Sequence, residues 1–413
     1  MERPSVPTQT TTAKTDAPSS RDRLIDAVIA TWSQQGHAAI SARGLAQATA
    51  LPTSSIYHHF GNLDGLLLEA QATATEAARR WCAEQLDLIG QAPGGAPEAF
   101  PGLFAALIDD WATQQRALGF AWRECHLLSE RDQRYCPPME EWRTLWIGFW
   151  EEICDRCGLT GAGESCALVF DGESLLHMMR WRRPVDRACL DEFARGWTRW
   201  LMGSLAPEGP WRQFAREDAQ ASRPLLPEPD GVAAQVAAAA ADVMEEAGVT
   251  GLTHRAVAER AGLTLGTVAY HYRTSADLIR GTFEMLYTRV VANTDFSPVS
   301  AGGLPPSHPM ETQPNTAPLI LAMEELIVAV ARDPAYSAFA PQLRFLRGRS
   351  SGRILQAALG SEHAVSPLDA ALYSAFLSGQ GRANSGMNEA AFSAMIRRTT
   401  EPLIARLKAG GGA

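Results

Sequence analysis

The sequence predicts an all-α protein built as two halves on one plan, and three observations predict it. Apolar residues recur at a spacing near 3.6 along most of the chain, while Gly and Pro punctuation is widely spaced and nothing reads as strand. The stretch Ser41 to Phe60, SARGLAQATALPTSSIYHHF, reads as a short helix, a tight turn and a second short helix. It returns 212 residues later, without a gap, as Thr253 to Tyr272, THRAVAERAGLTLGTVAYHY. In that register Gly36 falls on Gly248, Arg43 on Arg255, Ala46 on Ala258, Leu51 on Leu263, His59 on His271 and Leu66 on Leu278.

Residues 1–19, rich in Thr, Ser and Pro with no apolar core, read as a disordered tail and not as a signal peptide. Leu24, Ile25, Val28, Ile29 and Trp32 then recur at helical spacing, and Gly36 closes a helix from Ser20 to Gln35. Ser41 is placed to cap the next helix, with Leu45 and Ala46 inward and Arg43 outward. Pro52 suits the start of a helix, where its missing N–H costs nothing, and Thr53 to His59 follows with Ile56 inward. Residues 20–65 therefore form a first helix-turn-helix domain. Residues 66–205 form a helical domain, with a long helix from Leu63 to Leu88 and, past the break at 91–97, helices near Phe100–Gln115, Leu118–Ser129, Glu140–Cys157, Ser165–Trp181 and Asp186–Ser204.

Five prolines mark 206–229 as a linker, with one short helix around Trp211 to Arg216. The order then repeats: 230–277 is the second helix-turn-helix domain and 278–407 the second helical domain. Its helices are expected at Val232–Glu246, Ala276–Asn293, Leu319–Arg332, Tyr336–Arg347, Arg353–Leu359, Pro367–Gln380 and Asn388–Leu407. Residues 295–318 read as mobile, and 408–413 as a frayed tail.

Composition narrows the function. All seven cysteines lie between Cys82 and Cys189, and an odd count argues for reduced thiols in a cytoplasmic protein. No run approaches the roughly 18 to 20 apolar residues of a membrane span. The net charge of −9 does not favour nucleic acid globally, but docking depends on the local surface. Ser41 to Asn62 carries Arg43 and no acid, and Thr253 to Arg273 sets Arg255, Arg260 and Arg273 against Glu259.

The two stretches resemble the TetR family of bacterial transcriptional regulators, GLTLGTVAYHYRTSADL closely and ALPTSSIYHHFGNLDGL less so. The resemblance implies, for each half, a three-helix DNA-binding domain followed by a helical domain that binds a ligand and dimerises through its last two helices. Leu168–Trp181 with Arg187–Met202, and Leu368–Gln380 with Glu389–Leu407, look similar to those last two. The implied molecule is a monomeric chain acting as a pseudo-dimer, reading a double-stranded DNA operator and answering a small-molecule effector, most simply as a repressor. One departure stands out. Where the family commonly has a Ser-Lys or Asn-Lys pair after the aromatic motif, this chain has Asn62-Leu63 and Thr274-Ser275, and Arg273 is the one nearby substitute.

A short helix fits the major groove and offers its N-terminal side chains to bases and phosphates. Thr53, Ser54, Ser55, Tyr57, His58 and His59 are the candidates in the first half. Thr264, Leu265, Gly266, Thr267, Tyr270, His271 and Arg273 are their counterparts, with Arg43 and Arg255 placed for phosphate. The competing explanation is a solvated helix face, and repetition in register favours DNA. His59 and His271 fit inward packing as well as contact, and Phe60 and Tyr272 fit core. Because the two helices differ, the site should have two dissimilar half-sites, about 34–36 Å apart if one helical turn separates them.

The first half is also aromatic. Trp111, Trp122, Trp142 and Trp146, with Phe170 and His126, could line an apolar pocket for a flat effector, with Glu173 and His177 as polar anchors. The second half, lacking Trp and Cys beyond Trp211, reads as mainly structural and DNA-reading. Cys154 and Cys157 form a lone CxxC, so a thiol switch favoured by Arg156 is an alternative and a zinc site is not expected. A third reading is an interaction protein with degenerate DNA-binding motifs. Nothing in the sequence supports catalysis or a cofactor.

Overall fold

In a computed structural model the chain is described over residues 18–90, 96–222, 231–293, 317–384 and 387–410. The expectations for 1–17, for the proline-rich end of the linker and for 295–316 lie outside the described residues. Among the described residues the chain is all-α, with no strand.

The first half runs α1 (Ser20–Gln34), α2 (Ala42–Thr49), α3 (Ser54–Phe60), α4 (Leu63–Gly90), α5 (Phe100–Thr113), α6 (Arg116–Ser129), α7 (Cys136–Arg156), α8 (Gly163–His177) and α9 (Arg183–Leu201). α10 (Pro210–Ala221) follows in the linker. The second half runs α11 (Val232–Gly251), α12 (His254–Ala261), α13 (Leu265–His271), α14 (Ser275–Asn293), α15 (Ala317–Arg332), α16 (Ala340–Phe345), α17 (Arg349–Leu359), α18 (Pro367–Ala383) and α19 (Glu389–Gly410).

Among the boundaries that differ from expectation, four have plain local reasons. α7 begins at Cys136, because Pro137 and Pro138 occupy the first turn, where a missing N–H breaks no bond. The linker helix extends to Ala221 because Arg212, Ala215 and Ala219 form a buried stripe against α9 and α16. Tyr336 to Arg347 divides into a 3-10 segment, Pro334–Phe339, and α16, with Pro341 in the first turn. The expected tail from Lys408 is helical to Gly410.

The two halves meet where α8 crosses α18, and the contact is reciprocal. A Cβ on Gly172 would stand 2.0 Å from the Ala375 carbonyl oxygen, and one on Gly379 would stand 2.1 Å from that of Leu168. Each glycine lies four residues past the one its partner helix presses on, so backbones touch on both sides. Polar ties flank this crossing. Buried Asp171 accepts from Arg123 and from Arg382 Nε at 2.9 Å, and Arg382 also donates to Glu324 at 2.8 Å. Asp369 accepts from Trp200 Nε1 at 2.7 Å and from the Ala206 N–H at 2.8 Å. Each such group is costly to bury alone and tolerable only because it is partnered. No helix among the described residues is long and apolar enough to cross a membrane.

Candidate nucleic-acid interface and the core behind it

Each helix-turn-helix is set by the local chemistry the sequence shows. Ser41 accepts from the Gly44 N–H at 3.1 Å and starts α2, and Thr253 accepts from the Ala256 N–H at 3.1 Å and starts α12. The turns close through a left-handed residue, Ala50 at φ 50 in one half and Gly262 at φ 65 in the other. Ile56 and Val268, fully buried, fix the inner face of α3 and α13.

The outer faces carry the expected residues. On α3 and its approach, Thr53, Ser54, Tyr57, His58 and His59 are exposed and Ser55 is half-buried. On α13 and its approach, Thr264, Leu265, Gly266, Tyr270, His271 and Arg273 are exposed. Tyr57 is 59% exposed and Tyr270 78%. Arg43 and Arg255 are exposed as well. Both His59 and His271 point to solvent and take no part in the core. Phe60 is only half-buried, whereas Tyr272 is buried and donates to the Ala233 carbonyl at 3.1 Å. Thr264 and Thr267 are bonded to each other through their hydroxyls at 2.8 Å, so part of their polarity serves the cap of α13.

Behind the heads lies a constellation that the sequence reading missed. Gly36 and Gly248, equivalent in the repeat, adopt the same positive-φ conformation, the first just past the end of α1 and the second at a break within α11. Against Gly36 sit Glu124 of α6 and Arg332 of α15, which pair with each other, and Arg332 Nε donates to the Trp32 carbonyl at 3.1 Å. Against Gly248 sits Glu325 of α15, which accepts from the Val249 N–H at 3.2 Å and pairs with Arg131 just past the end of α6. Each head is thus held by a glutamate of its own half and an arginine of the other. The signal was present: Glu124 and Arg131, like Glu325 and Arg332, stand seven residues apart.

The expected effector residues come together, but as packing. Trp111, Trp122, Trp142, Trp146 and Phe170 are all at most 2% exposed and lie in mutual ring contact, with Trp111 and Trp146 centroids 4.7 Å apart. The cavity beside them, next to Met139 and Ala167, is about 30 Å³, room for one water. The indole N–H groups of Trp111 and Trp146 have no acceptor among the described residues. His126, buried beside this cluster, is pushed down to about 3 by burial and by Arg382, so its ring is neutral.

Glu173 and His177 serve the contact between the halves instead of the aromatic cluster. Glu173 pairs with Arg347, and His177 lies between Asp109 at 2.9 Å and Arg344 at 2.9 Å. Burial alone would raise the Asp109 carboxyl, but hydrogen bonds from His177 and Arg183 outweigh it and hold it far below the usual range.

The thiols pair differently from the CxxC spacing. Cys154 Sγ lies 3.5 Å from Cys166 Sγ, both fully buried. The Cys166 contact and burial raise the Cys154 thiol, and burial raises Cys157, which is opposite to what a reactive thiolate needs. Arg156 turns away to the Leu86 carbonyl and Glu152. Among the described residues no group of three or more His, Cys, Asp or Glu is placed to hold a metal ion. No family model matches the chain, and no curated protein matches it.

Proposed function

We propose that the chain is a ligand-responsive DNA-binding transcription regulator in which two TetR-like halves act as the two protomers of a dimer. The observation that carries this reading is the pair of exposed helices, α3 and α13, each set at the same place in the same three-helix unit. The reciprocal crossing of α8 and α18 supports it, because isologous contacts of that kind relate identical protomers across a twofold axis. Here both sides belong to one polypeptide, so the two heads are free to differ. One offers Ser54, Tyr57, His58 and His59, the other Leu265, Gly266, Tyr270 and His271, and Arg43, Arg255 and Arg273 take phosphates. In this reading the operator has two dissimilar half-sites.

Repression relieved by an effector follows if the ligand binds two arrangements of the heads with different affinity. The crossed pairs Glu124–Arg332 and Glu325–Arg131 give α6 and α15 a grip on both heads together.

Selection of random duplexes by the purified chain, followed by gel-shift titration over a range of salt, tests the proposal. The expected result is one recovered site with unlike halves about one helical turn apart, bound with steep salt dependence from released counterions. Failure to recover any site would overturn DNA reading and leave the heads as protein-interaction surfaces. A strict inverted repeat would keep the regulator and remove the unlike half-sites.

A further inference from the structure

A far larger opening than the one beside the tryptophans lies in the second half. It is a cleft of about 1080 Å³ between α10, the α16–α17 junction, α17 and the start of α18. That is the scale of a small-molecule site. Its walls are held in place. A Cβ on Gly348 would stand 2.7 Å from the Ala370 carbonyl, so glycine lets the start of α17 lie directly on α18. Farther along, the Gln356 amide donates to the Gly360 and His363 carbonyls at 2.7 Å each and its oxygen accepts from the Val365 N–H at 3.3 Å, which fixes the rim.

The lining has two characters. Phe345, Leu346, Val365, Pro367 and Ala370 make an apolar floor, and Arg216, Arg347, Arg349 and Arg353 line it, with no acidic side chain among the described residues of the wall. Arg216 is engaged by Glu208. Arg347 pairs with Glu173 through one terminal nitrogen, but its Nε is buried with no partner among the described residues. Arg353 is exposed and has no ion-pair partner among the described residues. A cation would be repelled here. A neutral ligand would leave the exposed Arg353 guanidinium unmatched, and a bare inorganic anion would leave the floor uncovered.

We infer that this cleft binds an amphipathic organic anion, its carboxylate or phosphate held by the exposed Arg353 and its apolar body laid on Phe345, Leu346 and Val365. The site goes beyond the regulator reading and stands without it, since binding is a property of the cleft whether or not α3 and α13 read DNA. It also moves the ligand from the aromatic first half to the half expected to be mainly structural.

The test uses the full chain without DNA and the anionic fluorophore 8-anilinonaphthalene-1-sulfonate, with uncharged N-phenyl-1-naphthylamine as its counterpart. The expected result is saturation at one sulfonate per chain, with the uncharged ring system bound about tenfold more weakly. Arg353→Glu should weaken the sulfonate about tenfold and leave the uncharged probe unaffected, and Ala357→Trp should block both. Both positions are exposed, and unchanged melting temperatures verify that the variants fold. Displacement by decanoate or by decyl phosphate then decides the head group. Equal binding of the two probes, indifference to both substitutions, or displacement by neither amphiphile would overturn the inference.

Discussion

The two helix-turn-helix units share a backbone and differ in what stands behind them. Leu24, Val28, Trp32, Leu45 and Ile56 of the first join one apolar core with Trp81, Trp111 and Trp146, and through it with Leu372 and Phe376 of the other half. The second has a small core of its own, Val236, Ala240, Val257, Val268, Tyr272 and Leu278, and leans on α15 through Ala241 and Met244. Burial stabilises in proportion to apolar area, and Leu and Trp bury more of it than Ala and Val. Caps and turns give both units the same shape; tertiary packing decides how firmly each is held. The first unit is therefore expected to open only with the core, and the second to open locally.

Trp146→Ala is the strongest way to break this comparison. Removing a fully buried indole from the ring cluster should cost about 3–5 kcal/mol. Hydrogen exchange should then show amides of α1 to α3 losing protection with the core, while those of α12 and α13 keep theirs. Equal loss in both units would show that they share one cooperative core after all. Next in size are Gly172→Val and Gly379→Val, which drive side chains into the facing backbone at Ala375 and Leu168. Each should cost about 3 kcal/mol. Reciprocity requires urea midpoints lowered alike, and a large disparity would mean that one side of the crossing can yield.

How much of this was legible follows from the range of each interaction. The caps at Ser41 and Thr253 and the chain reversals at Gly36 and Gly248 are local, and the repeat displayed them twice. The start of α7 was not legible, because Cys136-Pro137-Pro138 reads equally as a break and as a first turn. Trp142, Trp146 and Trp150 at every fourth position mark one helical stripe, but spacing alone cannot distinguish rings that line a void from rings that fill it. The partners of Glu173 and His177 lie far off in sequence, Arg344 in α16, Arg347 just beyond it and Asp109 in α5, and no local pattern points that far. The repeated Glu-to-Arg spacing was visible, but its pairing across the halves exists only once α6 and α15 lie side by side.

The outer faces allow a comparison at matched positions. His58 and Tyr270 coincide in the repeat, and both are exposed. If the heads read DNA as proposed, replacing either with Ala should weaken operator binding by about 1–2 kcal/mol and relax base preference in one half-site only. Selection with each variant reads this directly, and relaxation of both half-sites by one substitution would contradict separate heads.

An acid response should sharpen the comparison from the side of the core. His126 titrates near 6.5 when unfolded and is pushed down to about 3 in place, by burial first and Arg382 second. Between those values the unfolded chain holds a proton that the folded chain does not, so stability falls as pH drops below about 6.5. The slope from this one group is at most about 1.4 kcal/mol per pH unit. His126→Leu should reduce the difference between urea midpoints at pH 7 and pH 5, and an unchanged difference would assign the acid sensitivity elsewhere.

The smallest effect separates the heads most cleanly. Thr264 accepts from the Thr267 N–H at 3.1 Å and caps α13, whereas Thr53, with helical φ −58 and ψ −29, makes no such bond to α3. Thr264→Ala should therefore cost about 1 kcal/mol without DNA present, and Thr53→Ala close to nothing. Both positions are also candidates for DNA contact, so the measurement that isolates the cap is thermal unfolding of the free chain. If Thr53→Ala proved as costly as Thr264→Ala, α3 would need a side-chain cap that its geometry does not provide. If neither cost anything, the second head would be held by its own small core alone, and the Thr264 hydroxyl would be left for the groove.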